Sequence, residues 1–225
     1  MINSYPMKSL KILATWSIFL TALASGWSQI RLDLVAGVSP GSNPATAGII
    51  INRQNPYEEF VLNMNKVRPQ FFGGIKAHLD LAAPFFTEAG LLYTQKTSEY
   101  YMDYTLDPEA SRTQSVRMNE REHQVLLPLS IGVSMGSVDV ISGFTATGTI
   151  AKKSELSHMN GFQSDSNPVQ WGWHTGIRHT MGASKIGIEY QGSFSRVGRG
   201  AYVNGQSLEL MNVPGQFIMT YQFGF

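Results

Sequence analysis

From about residue 30 onward, apolar residues recur at every second position, the period of a strand with one face in an apolar environment. The last segment shows it most cleanly: Phe217, Met219, Tyr221, Phe223 and Phe225 alternate with Gln216, Ile218, Thr220, Gln222 and Gly224. Just before it, Ile186, Ile188, Tyr190 and Phe194 oppose Lys185, Glu189, Gln191 and Ser193. Trp171, Trp173, Ile177 and Met181 oppose His174, Arg178 and Thr180, while Val138, Val140, Phe144, Ala146 and Ile150 oppose Asp139, Thr145, Thr147 and Thr149. Val125, Leu127, Leu129, Ile131, Val133 and Met135 oppose Gln124, Ser130 and Ser134. Phe85, Ala89, Leu91 and Tyr93 oppose Glu88 and Thr94; Phe71, Ile75, Ala77, Leu79 and Leu81 oppose Lys76, His78 and Asp80. Leu32, Leu34, Ala36 and Val38 oppose Arg31 and Asp33. The pattern predicts eight strands.

None of the apolar faces carries Asp, Glu, Lys or Arg. A lysine or arginine facing lipid at mid-bilayer costs roughly 2–4 kcal/mol, so a lipid-facing surface excludes both. A soluble sandwich or lipocalin-like barrel also keeps one face apolar, and connection lengths separate the two cases. The breaks at 82–84, 136–137 and 182–184 are tight, whereas those at 40–70, 98–121, 152–170 and 196–214 are long and polar. Such alternation predicts an all-β, eight-stranded antiparallel transmembrane up-and-down barrel with short periplasmic turns and long outer loops. A strand of about 11 residues, tilted by about 45°, then rises close to a 25 Å apolar band. Trp171, Trp173, Tyr93, Phe194 and Phe217 fall near one rim, and Phe85, Phe223 and Phe225 near the other, as two aromatic girdles. Pro128 predicts a bulge or kink, and His179 and Thr87 face lipid only if they lie near an interface. Helix is expected only as a turn in the long loops.

The N-terminus reads as a targeting segment. Lys8 and Lys11 precede the uncharged run Ile12–Leu23, and small residues follow. The run is shorter than the about 20 residues of a membrane-crossing helix. The segment from Met7 makes the better n-region. Cleavage fits after Ala24 or Ser28, and Ser28 is favoured: residues 1–28 are then a signal peptide and residues 29–225 the barrel. The alternative is a buried N-terminal helix. Location in the cell outer membrane follows, with outer-membrane lipid as a partner.

Composition narrows the picture further. The formal charge of +1 and the absence of a basic stripe give no reason to expect nucleic acid as a partner. There is no cysteine, so disulfides and thiolate metal sites are excluded. The mean hydropathy of -0.10 speaks against a helical membrane protein.

Three short stretches carry a likeness. Val125-Leu126-Leu127-Pro128-Leu129, Gly187-Ile188-Glu189-Tyr190-Gln191-Gly192-Ser193-Phe194-Ser195 and the closing Tyr221-Gln222-Phe223-Gly224-Phe225 resemble the PorT-like group of Bacteroidota outer-membrane barrels. That resemblance implies a non-enzymatic barrel in a type IX-like secretion or surface assembly, contacting partner proteins through its loops. Two other roles fit the same chain: a stand-alone adhesion or ligand-binding barrel acting through its loops, and a lipid-modifying enzyme.

The polar faces hold the candidate chemistry. Arg31, Lys76, Arg178 and Lys185 stand against Asp33, Asp80, Glu88, Asp139 and Glu189, and near balance predicts an interior plug of ion pairs rather than an ion path. The five histidines show no ligand spacing, so no metal and no cofactor is expected; His78 and His174 belong with the interior network. For an enzyme, Ser157, His158 and Asp165 share one loop and Ser130 with His174 share one face. No supporting motif accompanies either set, and no catalytic residue is assigned. Gly37-Val38-Ser39-Pro40-Gly41 lacks the ending of a phosphate loop and reads as a strand end. Ile49–Ile51 and the 57–62 stretch are too apolar for a solvated loop, which predicts either a β-extension or a partner surface.

Overall fold

The computed structural model describes residues 30–42, 46–51, 59–107, 112–158, 162–164, 169–194, 201–203, 206–207 and 215–225. The expected signal peptide, residues 1–28, lies outside the described residues, as does Asp165.

Thirteen strands follow one another: β1 (Ile30–Ser39), β2 (Thr46–Ile51), β3 (Glu59–Val67), β4 (Gln70–Asp80), β5 (Phe85–Asp107), β6 (Arg112–Met135), β7 (Val138–Ser154), β8 (Phe162–Ser164), β9 (Val169–Met181), β10 (Ser184–Ser193), β11 (Ala201–Val203), β12 (Gln206–Ser207) and β13 (Gln216–Gly224). A single 3₁₀ turn, Glu155–His158, is the only helical piece among the described residues. Each segment predicted from alternation lies in a strand but for the end residues Leu81, Phe194 and Phe225. The hairpins β6–β7 and β9–β10 turn on Gly136 and Gly182, whose φ values of 68° and 62° suit glycine where a side chain would be strained.

Pairing is antiparallel throughout. Ten strands form one sheet in the order β2-β3-β5-β4-β1-β13-β10-β9-β7-β6, and β6 also pairs with β5. The first strand thus lies beside the last, with Leu34 opposite Phe223 and Val38 opposite Met219. A separate small sheet joins β12, β11 and β8.

The expected eight-stranded transmembrane up-and-down barrel is corrected here. Although the hydrogen bonding returns from β6 to β5, the strands do not ring round one axis. Nor are the strands of one length: β5 and β6 run for 23 and 24 residues, against 10 for β1 and 9 for β13. The β2–β3 hairpin, moreover, adds only to the far half of β5, where Phe60 lies opposite Tyr104 and Val67 opposite Ser98. The result is a ten-stranded antiparallel sheet with a long one-sided arm.

The arm also replaces two predicted loops. Most of the 98–121 stretch is strand, its ladder running from Ser98–Glu120 to Asp107–Arg112. Ile49–Ile51 is a β-extension, with Ile49 opposite Val61. The bulge or kink expected at Pro128 takes a milder form. The ladder to β5 lapses at Gly90–Pro128 and Leu91–Leu127, as a missing N–H requires. Register is nevertheless the same on both sides, from Ala89–Leu129 to Leu92–Leu126, and the register shift falls at His123/Gln124 against β7. Glycine explains the tolerance: a Cβ on Gly90 would lie 3.0 Å from Pro128 Cγ, so its absence leaves room for the ring.

The two faces of the sheet are sorted in an unusual sense. Polar and charged residues are buried and the apolar ones are exposed: Leu129 is 58% exposed, while its neighbour Ser130 is 3% exposed.

Candidate functional site

The buried face is layered along the strands. At the turn end lies an ion-pair lattice, above it a thin apolar layer, and above that a recess lined with carboxamides.

Arg178 is the hub of the lattice. From β9 its Nη1 donates to Glu88 on β5 at 2.6 Å, and its Nη2 donates to Glu189 on the adjacent β10 at 3.0 Å. Lys76 on β4 donates to the same Glu189 oxygen at 3.5 Å and lies 4.0 Å from Glu88. His78 reaches Glu88 at 3.0 Å through Nδ1, and its ring stacks on Phe86 with centroids 4.7 Å apart. A second group forms where Lys185 donates to Asp139 at 2.8 Å and Ser134 donates to the same carboxylate at 2.7 Å. Lys185 also lies over the Phe86 ring, 5.4 Å from its centroid. Arg31 pairs with Asp33 at 3.0 Å.

Four cations (Arg31, Lys76, Arg178, Lys185) therefore meet four carboxylates (Asp33, Glu88, Asp139, Glu189). Arg178 and Lys76 are among the largest fully buried side chains, which only matched charge permits. The predicted plug of ion pairs is what these residues form. Asp80 is the exception. It was placed inward by its alternation, yet its side chain is 72% exposed and touches the lattice only through His78 Nε2, at 3.1 Å.

Ser130 and His174 do meet, with Oγ 2.7 Å from Nε2. The other ring nitrogen faces the Thr145 hydroxyl at 2.9 Å, where a triad would hold a carboxylate. Ser157 and His158 are exposed, and Ser157 donates to the Ser154 carbonyl rather than to histidine. No group of metal-ligating side chains occurs among the described residues.

Phe72, Leu126 and Ile218 make the apolar layer, with Leu92 against it. In the arm, Met64, Met102, Met118 and Tyr100 are buried, away from the belt of exposed leucines and isoleucines. Tyr100 donates to Glu120 at 3.4 Å. Burial holds its phenol well above the ordinary range, and the charges of Glu120 and Glu122 raise it further. Glu99 accepts from both Arg68 and Arg117. Sequence alternation gave no sign of this second cluster, because charges occupy it on both sides of each strand.

On the exposed face, residues about half exposed recur on every strand of the hydrogen-bonded circuit, among them Leu34, Ile75, Leu91, Leu127, Val140, Ile177, Ile188 and Met219. Two of the polar interruptions are satisfied by backbone, while His179 is exposed beside the turn at Gly182. Thr87 donates to the Ser130 carbonyl at 2.8 Å and Thr175 to that of Ile141 at 3.0 Å. Aromatic rings gather towards both ends: Trp173, Tyr190 and Phe217 form a run with centroids 5.6 and 5.0 Å apart, and Phe223 meets Phe225 edge-on at 5.4 Å.

No family model matches this chain, and no curated protein matches it significantly. The likeness to the PorT-like group is therefore corrected, since neither of these comparisons supports it and the sheet does not ring one axis. The three stretches that carried it lie in or at the ends of β6, β10 and β13, and two-faced antiparallel strands produce such alternation generally. The expectations built on a barrel fall with it: outer-membrane location, a part in type IX-like secretion, an adhesion or ligand-binding barrel, a lipid-modifying enzyme of that membrane. Each took a regular ring of strands as its premise.

Proposed function

We propose that this chain is a non-enzymatic, lipid-contacting β-sheet protein, its exposed apolar face covered by acyl chains and its ion-pair lattice serving as the core. One observation carries the reading: the face that is apolar on every strand of the circuit is the exposed one, while Arg178, Lys76 and Glu88 are buried. In water this arrangement is inverted. Apolar surface gains roughly 25 cal/mol per Å² when removed from water, and monomeric soluble proteins rarely expose apolar patches above a few hundred Å².

Lipid suits the face better than a protein partner does. A partner covers one patch, whereas the apolar residues follow the circuit from β1 through β4, β5, β6, β7, β9 and β10 to β13. Hydroxyls that donate to their own sheet's carbonyls need no water and no partner. Tyrosine and tryptophan at one end of the face suit a headgroup level, where a ring meets apolar chains and its polar atom meets water.

Purified protein is expected to stay monodisperse in detergent, to aggregate when detergent is removed, and to float with phosphatidylcholine vesicles on a density gradient. Monodisperse protein that neither binds detergent nor floats with vesicles would contradict the reading.

A further inference from the structure

Above the apolar layer the buried face opens into a recess of about 100 Å³, into which Gln70, Gln124, Gln170, Gln191 and Gln216 project from five different strands. Five carboxamides converging on one cavity is a composition that packing alone does not call for. Buried amides are costly unless their donors and acceptors are used.

Most of those groups are hydrogen-bonded to neighbours. Gln216 is a hub: its Oε1 accepts from Ser39 at 3.3 Å and from Gln70 at 3.4 Å, and its Nε2 donates to Gln191 at 3.3 Å. Gln124 donates to Glu122 at 3.0 Å. Gln70 and Gln124 are only 3% and 6% exposed, and no glutamine atom of the recess is among the buried polar atoms of the described residues that lack a partner. The network thus links Gln70, Gln191 and Gln216 beside Gln124 and Gln170 around the cavity, over a floor of Phe72 and Leu126.

We propose that this recess binds a neutral, hydroxyl-rich fragment, the terminal part of one sugar ring. A carboxamide donates through nitrogen and accepts through oxygen, and a hydroxyl does both in return, so several amides around one cavity match a polyol. The apolar floor offers contact to the ring's C–H face. The recess is partly open to solvent and well below the several hundred Å³ of an ordinary ligand pocket, which suits the end of a sugar rather than a whole oligosaccharide. Lys96 also lines the cavity. It stands opposite Glu122 in the ladder, and Lys152 pairs with Glu120 at 2.9 Å and lies 3.8 Å from Glu122, so two cations meet two carboxylates and do not select an anion. The inference does not depend on what covers the exposed face.

Saturation-transfer NMR on the full chain in detergent micelles, with methyl glucoside and glucuronate as probes, tests it. Methyl glucoside is expected to bind saturably with Kd on the order of 1 mM, the range open to a small polar fragment. Gln216→Leu removes the hub, and Gln170→Leu removes a lining carboxamide outside the Gln70–Gln216–Gln191 network, with the unfolding midpoint measured beside binding to show that each variant folds. Each is expected to weaken binding at least tenfold, while Lys96→Gln changes it less than threefold. No saturable binding, equal binding by Gln170→Leu, or glucuronate binding that the neutral glucoside does not displace would overturn the proposal.

Discussion

Arg178 on β9 and Glu88 on β5 are 90 residues apart in sequence and belong to strands that do not pair, yet guanidinium and carboxylate meet at 2.6 Å with both side chains buried. The contact runs across the buried polar face and ties together two strands that share no ladder. Removing one partner leaves the other's charge without its match in a medium that solvates it poorly, which costs about 3–5 kcal/mol. Arg178→Met and Glu88→Met are each expected to lower the urea midpoint of detergent-solubilised protein sharply. The double variant, which leaves Lys76 with Glu189, is expected to lose clearly less than the two single losses combined. Additive losses would mean that the pair contributes independently.

Gly132 and Phe86 make a second cross-strand relationship. A Cβ on Gly132 would fall 2.1 Å from Phe86 Cζ, deep in the ring's volume. Gly132→Ala is therefore expected to destabilise by about 1–3 kcal/mol through overpacking. Phe86→Leu in the same chain is expected to recover part of the loss, measured by the same unfolding midpoint.

What the sequence made legible follows from where the physics is local. Strand faces were readable because Leu129 and Ser130 are adjacent and opposite in environment, and the tight turns were readable from Gly136 and Gly182. The far half of β5 was not. Ser98, Glu99, Tyr100 and Tyr101 carry polar atoms on both faces, so alternation stops although pairing with β6 continues. Pro128 pointed to a bulge because its missing N–H is visible in sequence, whereas Gly90 across the ladder, which makes room for its ring, is not. The Arg178–Glu88 pair was foreseeable as charge balance but not as a partnership, since no spacing encodes a contact across an interior. Short alternating stretches were also a poor guide to kinship, because any two-faced antiparallel strand produces them.

Leu129 tests the exposed face directly. Leu129→Arg is expected to reduce vesicle association strongly, since arginine in hydrocarbon costs roughly 2–4 kcal/mol, while Leu129→Phe leaves it nearly unchanged. Equal flotation of the arginine variant and the parent would count against lipid contact at that position.

Tyr100 gives a pH prediction for the arm. An unfolded phenol ionises near about 10. Burial, then Glu120 and Glu122, hold the folded group above that, so the folded arm keeps its proton more tightly. Stability from this group is fully present below the unfolded value and is lost as pH rises through and beyond it. In the phenolate absorbance difference between parent and Tyr100→Phe, the Tyr100 step is expected well above 10 and to coincide with opening of the arm. A step at the ordinary value would contradict its burial against Glu120.

The natural absence of cysteine makes the most direct measurement of lipid contact simple. Single cysteines introduced in turn at positions 126 to 131 of β6 carry a nitroxide, and the protein is reconstituted in phosphatidylcholine vesicles. Collision rates are then measured with oxygen, which partitions into lipid, and with a water-soluble nickel chelate. Labels at Leu127, Leu129 and Ile131 are predicted to favour oxygen strongly, and those at Leu126, Pro128 and Ser130 to be shielded from both reagents, giving a period of two. High collision with the nickel chelate at Leu127, Leu129 and Ile131 would show that the apolar face meets water, and would contradict lipid contact.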